Sequence, residues 1–107
     1  SPAATTITAS AVGLTATFNL PFSKVDFYAQ NAALTQWIFI GSVATPTLTD
    51  IGGNRTFAWG LPISGATLYT QLGLAATTAV NVMGVGMNAS GNIGMIPAAV
   101  FALTIVK

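Results

Sequence analysis

The sequence contains no histidine, no cysteine and no glutamate, and it has few charged side chains of any kind. Its only carboxylate side chains are Asp26 and Asp50, and its only cationic ones are Lys24, Arg55 and Lys107. Charged residues make up 5% of the chain, where about a quarter is usual. General acid–base catalysis therefore has few candidate groups, and a nucleophile has no histidine to activate it. We expect no enzyme activity.

The same shortage excludes the common ligand sites. Structural zinc needs Cys or His ligands, and tight calcium sites bring several carboxylates together, so we expect no metal and no other cofactor. Three cations spread along the chain do not form the basic patch that nucleic acid requires. Without cysteine there is no disulfide framework, and thiols give no indication of the redox compartment.

The chain is instead rich in apolar residues, which make up 52% of its 107 residues. Between residues 56 and 106 the one ionisable side chain is Tyr69. A domain with so few surface charges tends to self-associate. We therefore expect its surface to be buried against copies of itself or neighbouring subunits, coated by glycan, or embedded in lipid.

Lipid is the least favoured of these environments, because no segment has the character of a membrane span. A transmembrane helix needs about 20 predominantly apolar residues. Segment 72–87 is interrupted by two threonines and an asparagine, and segment 93–106 has 14 residues and contains Pro97. The chain begins Ser1-Pro2-Ala3-Ala4, without Met. Cleavage of a signal peptide would leave such a start, as would an arbitrary cloning boundary, and we expect an extracellular or cell-surface location.

Alternation of apolar and polar residues predicts strands along most of the chain. The clearest case places Leu14, Ala16, Phe18 and Leu20 on one side and polar residues on the other. Predicted strands cover 5–10 (an edge strand), 14–20, 24–30, 36–43, 55–59, 80–87 and 98–106, with 45–54 as a loop or hairpin end. Segment 60–79 is left open, since 68–72 fits a helix or a strand. Seven or so short strands separated by turn signals predict an all-β antiparallel sandwich, as one domain over 1–107.

Three segments add a more specific pattern: Lys24-Val25-Asp26-Phe27-Tyr28, Arg55-Thr56-Phe57-Ala58-Trp59, and the apolar run from residue 82 that ends in Asn88-Ala89-Ser90-Gly91-Asn92. Their order and spacing resemble those of bacterial immunoglobulin-like domains of secreted and surface proteins. That family has a Lys-Val-Glu-Phe-Tyr strand, an aromatic-x-Phe-x-Trp strand and an Asp-x-x-Gly-Asn turn. The resemblance spans about 4–107 and implies an immunoglobulin-like sandwich acting as a spacer, adhesion or ligand-presenting module. Asn88 replaces the family's Asp, and 60–79 is longer than its usual connection.

The last two predicted strands have a second apolar face. Small residues alternate with larger ones over 82–87, so the facing sheet can approach the small side chains while the larger ones point outward. Exposed apolar patches of this kind usually mark interaction sites. The predicted interface residues are Met83, Val85, Met87, Val100 and Ala102. In the alternative interpretation, segment 60–78 folds over this patch.

Trp37 and Tyr28 are candidate residues for ligand stacking, because an aromatic ring with a polar edge suits contact with a sugar. Trp59 is in phase with Phe57 and is expected in the core. Lys24 and Asp26 share a strand face, which predicts a surface ion pair. Asn54 and Asn88 begin triplets that match the N-glycosylation pattern, and whether either carries glycan is left open.

These observations predict a non-enzymatic structural subunit or packing module of an extracellular assembly, such as a filament, surface layer or coat. It would associate with copies of itself or neighbouring subunits through apolar sheet faces, with edge-strand addition by 5–10 as a further contact. One alternative is a carbohydrate- or receptor-binding adhesion module. Another is an accessory subunit docked on a membrane complex. The symmetry, the partner and any exchange of the amino-terminal strand between subunits stay open.

Overall fold

The computed structural model describes residues 6–10, 12–75, 79–88 and 100–105. In this part of the chain, two four-stranded antiparallel sheets pack face to face around one hydrophobic core. The elements are β1 Thr6–Ser10, β2 Gly13–Phe18, β3 Lys24–Gln30, β4 Trp37–Val43, β5 Thr47–Ile51, β6 Asn54–Pro62, α1 Gly65–Leu72, β7 Ala79–Met87 and β8 Val100–Thr104. Residue 5 of the first predicted strand, residues 98, 99 and 106 of the last predicted strand, and most of the predicted turn at 88–92 lie outside the described residues.

The strand order is β1-β2-β6-β5 in one sheet and β4-β3-β7-β8 in the other. In the lettering of immunoglobulin domains, this is A-B-E-D facing C′-C-F-G. The predicted fold class, an immunoglobulin-like antiparallel β-sandwich, is therefore confirmed. The described residues contain eight strands where about seven were expected. Strand β1 lies at a sheet edge, as predicted for 5–10.

The additional strand is β5, in the segment 45–54 that the sequence suggested as a loop or hairpin end. It pairs with β6 through a two-residue turn at Gly52 and Gly53, whose φ angles are 59° and 81°. Two consecutive positive φ angles are typical of the type I′ hairpin turn. All five β5 residues are exposed. The strand therefore has no burial pattern, which is why alternation of residue types did not reveal it.

Strand β2 has the predicted alternation of buried and less buried residues, but it ends two residues before the predicted end at Leu20. Leu14, Ala16 and Phe18 are buried in the core as predicted. Leu20 is not, since the strand ends at Phe18 and Leu20 is 43% exposed in the bend that precedes Pro21. Proline lacks the N–H that would continue the ladder, so the chain leaves the sheet before it.

Segment 68–72 forms a helix, and local hydrogen bonds define both ends of α1. Ser64 is the N-cap, and its hydroxyl accepts from the Thr67 backbone N–H at 3.2 Å. Gly73 ends the helix with a φ of 74°, and the N–H groups of Gly73 and Leu74 donate to the Thr70 and Tyr69 carbonyls. This pairing is the Schellman motif.

The helix closes the core and does not cover the outer side of a sheet. Leu68, Tyr69 and Leu72 are buried within the same core cluster as the inward residues of both sheets. The Tyr69 hydroxyl donates to the Ile105 carbonyl at 2.6 Å and so joins α1 to the chain beyond β8. Within the described residues, the helix in segment 60–78 therefore packs its apolar side against the core, and the alternative interpretation that this segment folds over the β7 patch is not found. No helix in this part of the chain is both long and apolar enough to cross a bilayer.

Candidate functional site

Strand β7 presents one face to the core and the other to the outside. Val80, Val82, Gly84 and Gly86 are buried, whereas Met83, Val85 and Met87 between them are half-buried on the outer side. A methyl group placed on Gly84 would lie 3.2 Å from the Ala16 side chain of the opposite sheet, and one placed on Gly86 would overlap the Phe22 ring. The small residues therefore allow the opposite sheet and Phe22 to approach β7 closely, as the sequence suggested.

Strand register extends this outer side across β3 and β4. Tyr28 lies opposite Met83 on one neighbour and opposite Phe39 on the other. Directly opposed residues of antiparallel strands share one face of the sheet. Trp37 lies on the same face, opposite Gln30. We call the resulting surface the outer apolar face, and it consists of Tyr28, Trp37, Phe39, Met83, Val85 and Met87.

The two predicted interface positions on the last strand lie beside this surface in the backbone register. Val100 pairs with Met83, and Ala102 pairs with Asn81. Their side chains lie outside the described part of the structure. The predicted adjacency of the last two strands is therefore found, and the contribution of these two side chains stays a prediction.

The two candidate stacking residues lie on this surface but not against each other. The Tyr28 ring packs edge-on against the Phe39 ring, with centroids 5.6 Å apart and an interplanar angle of 67°. Trp37 is 38% exposed and Phe39 is 54% exposed. The structure thus places the predicted stacking residues and the predicted interface residues of β7 on one surface, which sequence reasoning had treated as two separate sites.

Phe39 is the residue of this surface that sequence reasoning missed. Strand β4 has apolar residues at consecutive positions, so alternation does not assign a face to Phe39 or Ile40. The β3–β4 register shifts between Phe27 and Tyr28. An extra residue at such a bulge changes which side chains point outward. In this register Phe39 lies opposite the outward-facing Tyr28 and is exposed, whereas the extra residue Ile40 is buried in the core.

One ion pair lies on the outer apolar face. The Asp26 carboxylate accepts from the Ser42 hydroxyl at 2.7 Å and lies 3.6 Å from the Lys24 ammonium. The predicted Lys24–Asp26 pair is confirmed, although Asp26 itself is only 8% exposed. The other carboxylate, Asp50, pairs with Arg55 at 3.2 Å on the opposite sheet. Each carboxylate side chain therefore already has a cationic partner within the protein.

Beside the apolar side chains, an amide pair joins β3 to β7. Asn81 Nδ2 donates to Gln30 Oε1 at 2.7 Å, and both residues are half-buried.

Away from this surface, Trp59 is fully buried in the core, as predicted. Asn54 and Asn88, which begin the glycosylation triplets, are both exposed.

Comparison with known proteins does not assign a family or a function to this chain. The sequence matches no protein-family model and no curated protein. The resemblance to bacterial immunoglobulin-like domains stays a prediction, and two of the three segments that carry it lie in β3 and β6, one in each sheet.

Proposed function

We propose that this chain is a non-enzymatic packing module of an extracellular assembly and that it associates with further copies of itself through the outer apolar face. The observation that supports this most directly is the continuity of large apolar side chains across three neighbouring strands, β4, β3 and β7. An apolar surface shared by several strands is typical of an interaction site. The proposed extracellular location is based on the predicted resemblance to domains of secreted and surface proteins.

The pairing of the charged groups on the outer apolar face favours burial of this face in an interface. Burying an unpaired ion in an interface is costly, whereas a pair that keeps its partner and its hydrogen bonds avoids most of that penalty. Asp26 keeps both Lys24 and Ser42 when another molecule covers the sheet. The apolar area that is removed from water contributes about 25 cal/mol per Å². A standard interface of about 800 Å² on each partner is therefore sufficient for association.

The test uses lysine substitutions that leave the sandwich intact. Phe39→Lys places a charge where the side chain is already 54% exposed. Val85→Lys places an ammonium group opposite Asp26 in the strand register, where the two charges attract. An aspartate at position 85 would instead face the Asp26 carboxylate, and like charges in opposed positions destabilise a sheet. Leu48→Lys is the matched control, because Leu48 is 55% exposed on the other sheet.

Light scattering after size-exclusion chromatography, together with negative-stain microscopy, measures the association of the full chain. We expect the native chain and Leu48→Lys to form oligomers at about 100 µM, well above a micromolar Kd. Phe39→Lys and Val85→Lys should be monomers with unchanged circular dichroism. A monomeric native chain, or association that Leu48→Lys abolishes and Phe39→Lys does not, would refute the proposal.

A second candidate function is a carbohydrate- or receptor-binding adhesion module. The observation in its favour is the exposed Trp37 ring beside the amide of Gln30, with the Tyr28–Phe39 pair on the adjacent row of the sheet. Aromatic faces next to hydrogen-bonding groups suit the alternating apolar and hydroxyl surfaces of sugars. A native chain that is monomeric and binds glycan, with loss of binding in Trp37→Ala, would favour this function over assembly.

A further inference from the structure

A cavity of about 300 Å³ lies at the end of the β4-β3-β7-β8 sheet, where the β3–β4 loop, the segment after α1 and the start of β7 meet. Its lining includes Gln30, Asn31, Leu34, Leu74, Val80 and Asn81. Ligand cavities in proteins begin at about this size. The cavity is therefore large enough to hold a small molecule, and it lies next to the outer apolar face at Gln30.

The lining selects for a neutral ligand. Among the described residues, the polar side chains of the lining are the amides of Gln30, Asn31 and Asn81, and the other lining residues are alanine, leucine and valine. No lining residue in the described part of the chain has an ionisable side chain. An anion or a cation would lose its hydration there without gaining a counter-charge.

The amide pair arranges a donor and an acceptor beside each other. Asn81 Nδ2 donates to Gln30 Oε1, so this bond uses one donor of Asn81 and one acceptor site of Gln30. The Gln30 amide nitrogen still has two N–H donors, and the Asn81 amide oxygen is still an acceptor. A hydroxyl group, which both donates and accepts, matches such a pair.

The loop wall of the cavity is held in place before any ligand arrives. The Asn31 amide oxygen accepts from the backbone N–H of Thr35 at 2.9 Å and of Gln36 at 3.3 Å. Leu34, at the tip of the same loop, has a φ of 58° and a side chain that is 63% exposed. Left-handed backbone at a leucine is strained, and such strain is common in segments that contact ligands. A preorganised wall lowers the entropy that binding would otherwise cost.

We propose that this cavity binds a single neutral sugar unit, with Gln30 and Asn81 holding adjacent hydroxyl groups. Trp37, which lies opposite Gln30 in the register, extends the site with a stacking surface for the next unit of a glycan. The inference rests on the second candidate function and adds to it the ligand class and the residues that select it. It does not require assembly through the outer apolar face.

The experiment titrates the isotopically labelled full chain with the methyl glycosides of glucose, galactose, mannose and N-acetylglucosamine and follows backbone amide shifts by NMR. We expect saturable shifts at Gln30, Leu34 and Asn81 for at least one sugar. Gln30→Met and Asn81→Leu, which keep the side-chain volume and remove the amides, should each weaken binding about tenfold, as expected for one lost polar contact. Asn54→Ala, which removes an exposed amide on the other sheet, is the control and should bind as the native chain does.

A second variant tests the cavity without removing a polar group. Ala32→Trp substitutes an exposed loop residue of the lining, so it should fill the cavity, leave the fold intact and abolish binding. Absence of saturable binding for all four sugars would overturn the inference. Binding that Trp37→Ala removes, and that Gln30→Met, Asn81→Leu and Ala32→Trp leave unchanged, would overturn the cavity site while supporting the stacking function.

Discussion

Leu34 is the one residue other than glycine with a positive φ in the part of the chain that the structure describes. The turn around it is held by its neighbours. The Leu34 N–H donates to the Asn31 carbonyl at 3.0 Å, and the Asn31 side chain accepts from two backbone groups of the same loop. These bonds require the left-handed conformation at position 34 whatever residue stands there. The strain therefore comes from the leucine side chain, and glycine would adopt the same turn without it.

Leu34→Gly should raise the free energy of unfolding by about 0.5–1 kcal/mol. The left-handed conformation costs a side-chain-bearing residue about 1–2 kcal/mol, and the greater freedom of glycine in the unfolded chain offsets part of the gain. The leucine side chain is mostly exposed, so its removal costs little packing. Urea unfolding measures the change as a shift of the midpoint at constant slope. Leu34→Ala is the control and should give no gain; equal stabilisation by both variants would contradict this explanation.

At the scale of the element, β7 depends on which of its positions have no side chain. Its inner face is Val80, Val82, Gly84 and Gly86. The two valines contribute to the core, while the two glycines give space to Ala16 and to the Phe22 ring. Phe22 in turn packs edge-on against Phe18 at 5.0 Å. The end of β7 near Met87 thus packs against the Phe22 ring of the β2–β3 connection, which occupies the space that a side chain at position 86 would need.

Gly86→Ala should lower the free energy of unfolding by about 1–3 kcal/mol, the usual cost of overpacking a well-filled core. The added methyl overlaps the Phe22 ring, which has to move away from its aromatic neighbours. In a Phe22→Ala background the same substitution should cost much less, since the ring is absent. Urea unfolding of the four proteins of this double-mutant cycle measures the coupling. Strictly additive effects would show that Phe22 is not what excludes a side chain at position 86.

At the scale of the whole molecule, the small number of charges and the position of the apolar surface together determine what drives association. The formal net charge is +1, so copies of the chain repel each other little. The two carboxylates are paired within the protein, one on each sheet. Association through the outer apolar face therefore has little electrostatic contribution of either sign, and apolar burial is its main driving force.

This balance predicts how association responds to salt. Sodium chloride at about 1 M shortens the Debye length to roughly 3 Å and should leave the association constant nearly unchanged. Ammonium sulfate, which strengthens apolar burial, should raise it. Sedimentation velocity at several protein concentrations in each salt measures both effects. Dissociation by sodium chloride would show that exposed ion pairs, and not apolar contacts, hold the copies together.

Most strands of this fold were predictable because their faces differ. In β2, β3 and β7 the buried side alternates with a less buried one, and the residue types follow that alternation. Strand β5 was not predictable, since all five of its residues are exposed and only its pairing with β6 makes it a strand. Segment 68–72 could not be assigned from its own composition, which suits either a helix or a strand. The cap at Ser64 and the turn at Gly73, both outside this segment, define the helix.

Local patterns along the chain were sufficient for the sandwich, the buried Trp59 and the outward methionines of β7. These are properties of composition and of short-range periodicity. Pairing between distant segments decided the rest: it places Trp37, Phe39 and Tyr28 on the same surface as Met83, and it joins Gln30 to Asn81 at the cavity. Register and a bulge in β4 depend on contacts between residues far apart in the chain, so no window of the sequence contains that information.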